Sequence, residues 1–266
     1  EISACLVGSE MCIRDRIYAL LAPTATEFYS PDDYHTGNRS QKAGIAYAYE
    51  QFKQANLKGV DAVSSIGMHL DEYVYFRTDH HWTARGAYYA YSAFCQAAGL
   101  EPVPLNALES GKIENFVGSM YRYTNADVLK NNPDYLEYFL PRREADGEYY
   151  DDATMKNGRH LTIVSTKIGA DNKYLAFIQG DTPLSKIVTD QKNGKKILVI
   201  KDSYGNALVP FLVDNYEEIY VLDPRNIETD LSSFVKTHGI QDVLLVNYSL
   251  IGGNTSYLKA LDKMIG

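Results

Sequence analysis

Cysteine is nearly absent from this chain. The three present, Cys5, Cys12 and Cys95, are too few for a disulfide framework or a thiolate-rich metal site. Cys95 lies inside an apolar helical pattern, where a lone buried thiol is expected. No apolar run approaches the ~20 residues needed to span a bilayer, and no intact signal peptide is visible. Basic residues are outnumbered, 26 Lys+Arg against 34 Asp+Glu for a net charge of -8, and they form no stripe. Nucleic acid is thereby excluded as the expected partner. Of six histidines, His35, His69, His160 and His238 fall in no ligand-like spacing. Internal repeats and low-complexity tracts are missing, which excludes a solenoid.

What is present suits one large α/β domain: 266 residues, 45% hydrophobic and 23% charged. Ile17 to Pro23 reads as a first strand, Gln41 to Gln54 as a helix, and Gly59 to Val63 as extended chain. Tyr73-Val74-Tyr75-Phe76 is expected to be a strand. It is followed by a helix capped by Thr83, running through Ala84, Ala87, Tyr88, Tyr91 and Phe94 until Gly99 stops it. Leu161 to Val164 and Tyr174 to Phe177 predict a hairpin turning through Gly169-Ala170-Asp171-Asn172. Lys195 to Ile200 is a β-branched run typical of a strand buried on both faces. Glu218 to Leu222, a helix near Leu231 to Thr237, and Asp242 to Val246 complete the alternation of a parallel sheet. Residues from about Glu101 to His160 break this rhythm. They read as an insertion, either a lid carrying Tyr121, Tyr123, Tyr135 and Tyr138 over a glycan or a satellite subdomain.

Two stretches far apart carry the chemistry: Thr78-Asp79-His80-His81-Trp82 and Lys201-Asp202-Ser203-Tyr204-Gly205-Asn206. A serine hydroxyl is a poor nucleophile until an imidazole takes its proton. That imidazole works best when a carboxylate fixes its tautomer. Ser203, His81 and Asp79 fill those roles, and the two-residue spacing lets Asp79 and His81 point the same way while His80 faces elsewhere. Backbone N–H groups of Ser203 and Tyr204 are the first expectation for oxyanion binding. Tyr204, Asn206, Arg77 and Arg225 are candidates to line the pocket. Taken singly, each residue also fits a bland role: Asp202, Ser203 or Asp79 as a helix cap, Trp82 as core, and an arginine in a surface ion pair.

These two motifs resemble the DHHW proteins of the SGNH hydrolase-like superfamily, relatives of the periplasmic proteins that O-acetylate alginate. The resemblance is carried by Tyr75-Phe76-Arg77-Thr78-Asp79-His80-His81-Trp82-Thr83-Ala84-Arg85-Gly86-Ala87-Tyr88, by Lys201 to Asn206 and by Pro210-Phe211-Leu212. Weaker similarity extends from Ile17 onward. It implies a flavodoxin-like three-layer α/β/α sandwich with a mainly parallel sheet, an Asp79-x-His81 pair and Ser203 as nucleophile. The Asp-His pair precedes the serine, whereas most SGNH enzymes run the other way. Two departures stand out. Lys201 replaces the usual glycine of Gly-Asp-Ser, and no Gly-x-Asn-Asp block supplies further oxyanion donors, leaving Gly180 and Asn247 as substitutes.

Asp79-His80-His81 is also similar to the Asp-His-His signature of certain phosphoesterases. Two-metal sites need further carboxylates or histidines, so neither a metal nor a cofactor is expected. Residues 1–16 resemble translated sequencing adaptor and are set apart from a single domain over 17–266. Family resemblance further implies an extracytoplasmic, cell-envelope location in bacteria. It also implies a tether through an amino-terminal segment missing here and a membrane-bound acyltransferase as acyl donor. The expected activity is that of a serine-dependent O-acyl esterase or O-acetyltransferase acting on a cell-surface or exported polysaccharide. A non-catalytic carbohydrate-binding or polysaccharide-assembly protein on the same fold is the alternative.

Overall fold

The computed structural model describes residues 16–31, 40–169 and 171–265. Ten strands occur among them: β1 (Ile17–Ala22), β2 (Lys58–Gly59), β3 (Glu109–Phe116), β4 (Asp134–Leu140), β5 (Ala145–Tyr150), β6 (Arg159–His160), β7 (Leu184–Thr189), β8 (Lys196–Lys201), β9 (Glu218–Leu222) and β10 (Asp242–Tyr248). The five longest helices are α1 (Gln41–Gln54), α2 (Ala84–Ala98), α3 (Gly205–Leu212), α4 (Leu231–His238) and α5 (Thr255–Ile265).

Eight strands form one sheet in the order β2-β1-β10-β8-β9-β7-β5-β6. The first five are parallel, and β7, β5 and β6 extend that block antiparallel. Strand periodicity sorts the apolar side chains into two cores. Tyr18, Leu20, Ile197, Val199, Ile219, Val221, Leu244 and Val246 pack on one face with α2 and α3. Ile17, Leu198, Ile200, Tyr220, Leu222 and Val243 pack on the other with α4 and α5. The result is a three-layer α/β/α sandwich with a mainly parallel sheet. Each fully buried Ile, Leu or Val contributes roughly 2 kcal/mol of transfer free energy, so β8, buried along both faces, is firmly fixed. That strand carries the serine.

Helices α1 and α4 and the caps of α2 form where the sequence predicts them. Thr83 accepts from Gly86 N–H, and Gly99 closes α2 in the left-handed conformation at φ 67°. Ala62 and Val63, expected to be extended, instead begin a short helix, Ala62–Gly67, because Asp61 caps it by accepting from Ser64 N–H. Tyr73 to Phe76 is not a strand either. It folds back on itself through a single antiparallel bridge between Tyr75 and Trp82. Its apolar residues serve core packing, and its backbone bonds to the neighbouring 81–83 stretch, Phe76 N–H to His81 O at 3.3 Å and Thr83 N–H to Val74 O at 3.0 Å, rather than to the sheet.

The hairpin expected around residues 161–177 reduces to one bridge, Val164 with Phe177, while Lys173–Ala176 is a 3-10 turn. Ala170, at its tip, lies outside the described residues. Between 101 and 160, β3 and β4 pair as a separate two-stranded antiparallel sheet, joined through the short helices Ser119–Thr124 and Asp127–Asn131, whereas β5 and β6 join the main sheet. Residues 1–15, with Cys5 and Cys12, also lie outside the described residues, as does His35. Arg16 is engaged with the fold, its guanidinium making two bonds of 2.7 and 2.8 Å to the buried carboxylate of Asp242.

Candidate active site

Ser203 follows β8 at the carboxyl edge of the sheet, where open α/β folds place ligands. Asp202 fixes this turn. One carboxylate oxygen accepts from Tyr204 N–H at 2.9 Å and the other from Tyr248 N–H at 2.8 Å, tying the serine loop to the end of β10. Burial raises the Asp202 pKa against those bonds.

The opposing loop is built around Asp134, the buried first residue of β4. Its carboxylate accepts from Thr78 N–H and Thr78 Oγ1, both at 2.7 Å, from Arg77 N–H at 3.1 Å and from Arg77 Nε at 2.9 Å, and the Tyr73 hydroxyl donates to it as well. Five donors from 73–78 thus converge on one residue of the 101–160 segment. Trp82 adds a direct link between the loops, its indole N–H donating to Tyr204 O at 3.0 Å.

Between the two loops Asp79, His81 and Ser203 form a continuous line. Asp79 Oδ1 lies 2.5 Å from His81 Nδ1, and His81 Nε2 lies 2.7 Å from Ser203 Oγ. Asp79 also accepts from His81 N–H at 3.0 Å and Ser119 N–H at 2.7 Å. Burial pushes its pKa up, but the hydrogen bond and charge of His81, with the Ser119 N–H, outweigh that and hold it well below the carboxylate range. Gly118 is required here: a Cβ on it would lie 2.3 Å from the Asp79 Cβ. The His81 ring is stacked on Tyr174, 4.0 Å between centroids at 10°.

His80 does not face elsewhere. It tilts over His81, with 3.9 Å between centroids, places Nδ1 2.5 Å from Ser119 Oγ, and lines the same cavity as Ser203. That cavity, of about 270 Å³, is also walled by Tyr123, Arg225, Tyr248 and Tyr257.

The remaining predicted residues divide. Tyr204 and Arg225 line the cavity, but Tyr204 spends its N–H on Asp202 and its hydroxyl on His80 O. It therefore offers no oxyanion donor. Gly180, at φ 91°, donates its N–H to Phe177 O at 3.0 Å, and Asn247 uses its amide on Asp202 and on Tyr257 OH. Neither has a donor to spare for substrate. Arg77 is mostly exposed and pairs with Asp134 outside the cavity, anchoring the loop. Asn206 is buried beside Asp181, to which it donates at 2.9 Å. The backbone N–H of Ser203 has no partner among the described residues.

Lys201 explains the departure from glycine. Its side chain is fully buried, with Nζ 2.8 Å from Asp181 and 3.8 Å from Asp223, and Arg225 bonds both of those carboxylates. Two cations face two anions behind the serine. Ser119, Gly118, Asp134, Tyr174 and Asp181 carry no local motif and are found only once the chain is folded.

One ligand atom from each of Asp79, His80 and His81 lies within 4.8 Å of the others. Both ring nitrogens of His81 are held, Nδ1 by Asp79 and Nε2 by Ser203 Oγ, so an ion shared by all three residues would have to break one of those bonds. The donor set does not fit a metal.

The family model for DHHW protein matches residues 9–222. The chain belongs to the DHHW family. It is similar over its whole length, at 31% identity and a TM-score of 0.86, to a DHHW family protein from Eubacterium siraeum, covering 88% of that chain. It is also similar to PatB1 of Bacillus cereus (21% identity, TM-score 0.71, 90% of this chain and 84% of that one), a protein solved as well with a sulfonyl adduct. The O-acetyltransferase domain of Pseudomonas putida AlgJ follows at 15% identity and a TM-score of 0.51, with 94% and 79% covered. At such identities PatB1 and AlgJ speak for the fold, an SGNH-like α/β architecture. No curated protein matches this DHHW chain by sequence.

Proposed function

We propose that this DHHW protein is a serine-dependent O-acetyltransferase or O-acyl esterase acting on a cell-surface or exported polysaccharide. The observation that carries the reading is the unbroken line from the Asp79 carboxylate through His81 to the Ser203 hydroxyl, ending at a cavity. His81 takes the Ser203 proton as Oγ attacks the acyl carbon, then returns it to the departing oxygen. Asp79 keeps the proton of the ring on Nδ1 and offsets the transient imidazolium charge. A water or a sugar hydroxyl, deprotonated in turn by His81, receives the acyl group from Ser203.

The fold shared with the AlgJ O-acetyltransferase domain supports this reading over other serine hydrolase chemistries. A non-catalytic binding protein would leave a buried Asp79–His81 pair without use. An acyl donor is required for transfer, and a membrane-bound acyltransferase on the extracytoplasmic side of the cell envelope is the partner proposed. No helix among the described residues is long and apolar enough to cross a membrane.

The test is turnover of a chromogenic acetyl ester, with and without an oligosaccharide acceptor. The wild-type chain is expected to release the chromophore and Ser203→Ala is not. Equal rates would contradict the reading. Acetylated oligosaccharide in the products would assign transfer over hydrolysis.

A further inference from the structure

His80 is a polar side chain of the cavity that the proposed cycle leaves without a task. Its Nδ1 lies 2.5 Å from the Ser119 hydroxyl, which is buried. The backbone N–H of His80 also reaches that hydroxyl, at 3.4 Å, as a donor. A buried hydroxyl has to place its own hydrogen on an acceptor. Among the described residues the acceptor is His80 Nδ1, so the proton of a neutral His80 ring is carried on Nε2. Nε2 has no protein partner there, and the side chain is 42% exposed along the cavity it lines.

The ring sits one stacking distance from His81, the imidazole that meets Ser203 Oγ. Burial, and next the charge of His81, lower the His80 pKa to about 4, so the ring is neutral near pH 7. A neutral donor suits this position, because a second imidazolium would repel the one that forms on His81.

Oxyanion binding is short of donors in this site, since Tyr204, Gly180 and Asn247 are all spent. Resting on the acyl-transfer reading above, we propose that His80 Nε2–H joins the Ser203 backbone N–H in binding the carbonyl oxygen of the ester that Ser203 attacks. As Oγ bonds to the carbonyl carbon and His81 Nε2 takes the hydroxyl proton, the π electron pair moves onto the carbonyl oxygen. Two N–H groups then hold that oxyanion. When it collapses, the C–O bond to the leaving alcohol breaks and His81 protonates the departing oxygen. His80 gives up no proton in the cycle; Ser119 fixes its tautomer and is a positioning residue.

The test is steady-state acetyl-ester turnover by the whole chain as wild type, Ser203→Ala, His80→Ala, His80→Gln and Ser119→Ala, with thermal melts to confirm folding. Removing one oxyanion donor lowers kcat by about 100-fold, so His80→Ala is expected to show that loss with KM within threefold of wild type. His80→Gln, whose amide nitrogen can still donate, is expected to recover part of it. Ser119→Ala, which keeps the N–H that Asp79 needs, is expected to fall in between. Nitrogen NMR of the wild type is expected to show His80 as the Nε2–H tautomer. An active wild type with kcat of His80→Ala within threefold, a loss confined to KM, or an Nδ1–H tautomer would overturn this inference alone. A folded wild type with no Ser203-dependent turnover would overturn the acyl-transfer reading, and this inference with it.

Discussion

Burying Asp79 beneath His81 carries a desolvation cost that its hydrogen bonds offset, and this makes the carboxylate an electrostatic as well as a geometric part of the site. Asp79→Asn is therefore expected to keep the fold, present the wrong tautomer to Ser203 and lower kcat by on the order of 10³ to 10⁴, read by ester turnover. Lys201 tests a different balance. Removing one partner of a buried ion pair costs about 3–5 kcal/mol. Lys201→Met leaves Arg225 as the one cation beside Asp181 and Asp223, so urea unfolding is expected to show a loss of about 3 kcal/mol. An unchanged midpoint would mean that Arg225 satisfies both carboxylates. At this scale the sequence was legible where chemistry has a motif: Ser203, His81 and Asp79 are visible as residue types. Their helpers were not, because Ser119 and Asp134 come from a segment some forty to sixty residues away and act through ordinary hydrogen bonds that leave no pattern.

The elements divide along the same line. Strand β8 and helix α2 were legible because a β-branched run between Gly194 and polar residues, and a Thr83 cap with a Gly99 stop, are local signals. Tyr73 to Phe76 carries the apolar pattern of a strand but is not one, because its apolar residues face the core without pairing to the sheet. Asp134 anchors the turn that follows, at the N–H groups of Arg77 and Thr78. Asp134→Ala is expected to release the turn that carries Asp79 and His81, lowering both Tm and ester turnover, whereas Arg77→Ala, which removes one exposed partner, is expected to change stability by less than about 1 kcal/mol. Comparable effects of the two would contradict Asp134 as the hub. Gly118→Ala is expected to disturb the site most sharply for its size, since the added methyl would collide with both the side chain and the Cα of Asp79.

Over the whole molecule, the charged site sits between two cores on a sheet whose fold class followed from alternating strand and helix signals, while the antiparallel edge of β7, β5 and β6 did not. Edge pairing depends on which strand is left uncovered, and periodicity does not record it. The site also contributes to the acid limit of the fold. Asp79 and Asp181 have depressed folded-state pKa values, so their contribution is complete above the ordinary carboxylate range and is lost as pH falls below about 4. His80 acts in the same direction at higher pH. Its folded pKa of about 4 lies below the unfolded value of 6.5, so protonation of the unfolded chain draws stability away as pH drops from 6.5 towards 4. Tm is expected to fall over that window in wild type and to fall less in His80→Asn. A flat wild-type profile between pH 7 and 4 would contradict the assignment.

The claim beneath all of this is that Ser203 is activated by His81. Exposure of the folded chain to an aryl sulfonyl fluoride, followed by peptide mass mapping, tests it directly. A single adduct on Ser203 that disappears in His81→Ala is the predicted result. Labelling that spares Ser203, or that proceeds equally without His81, would contradict it.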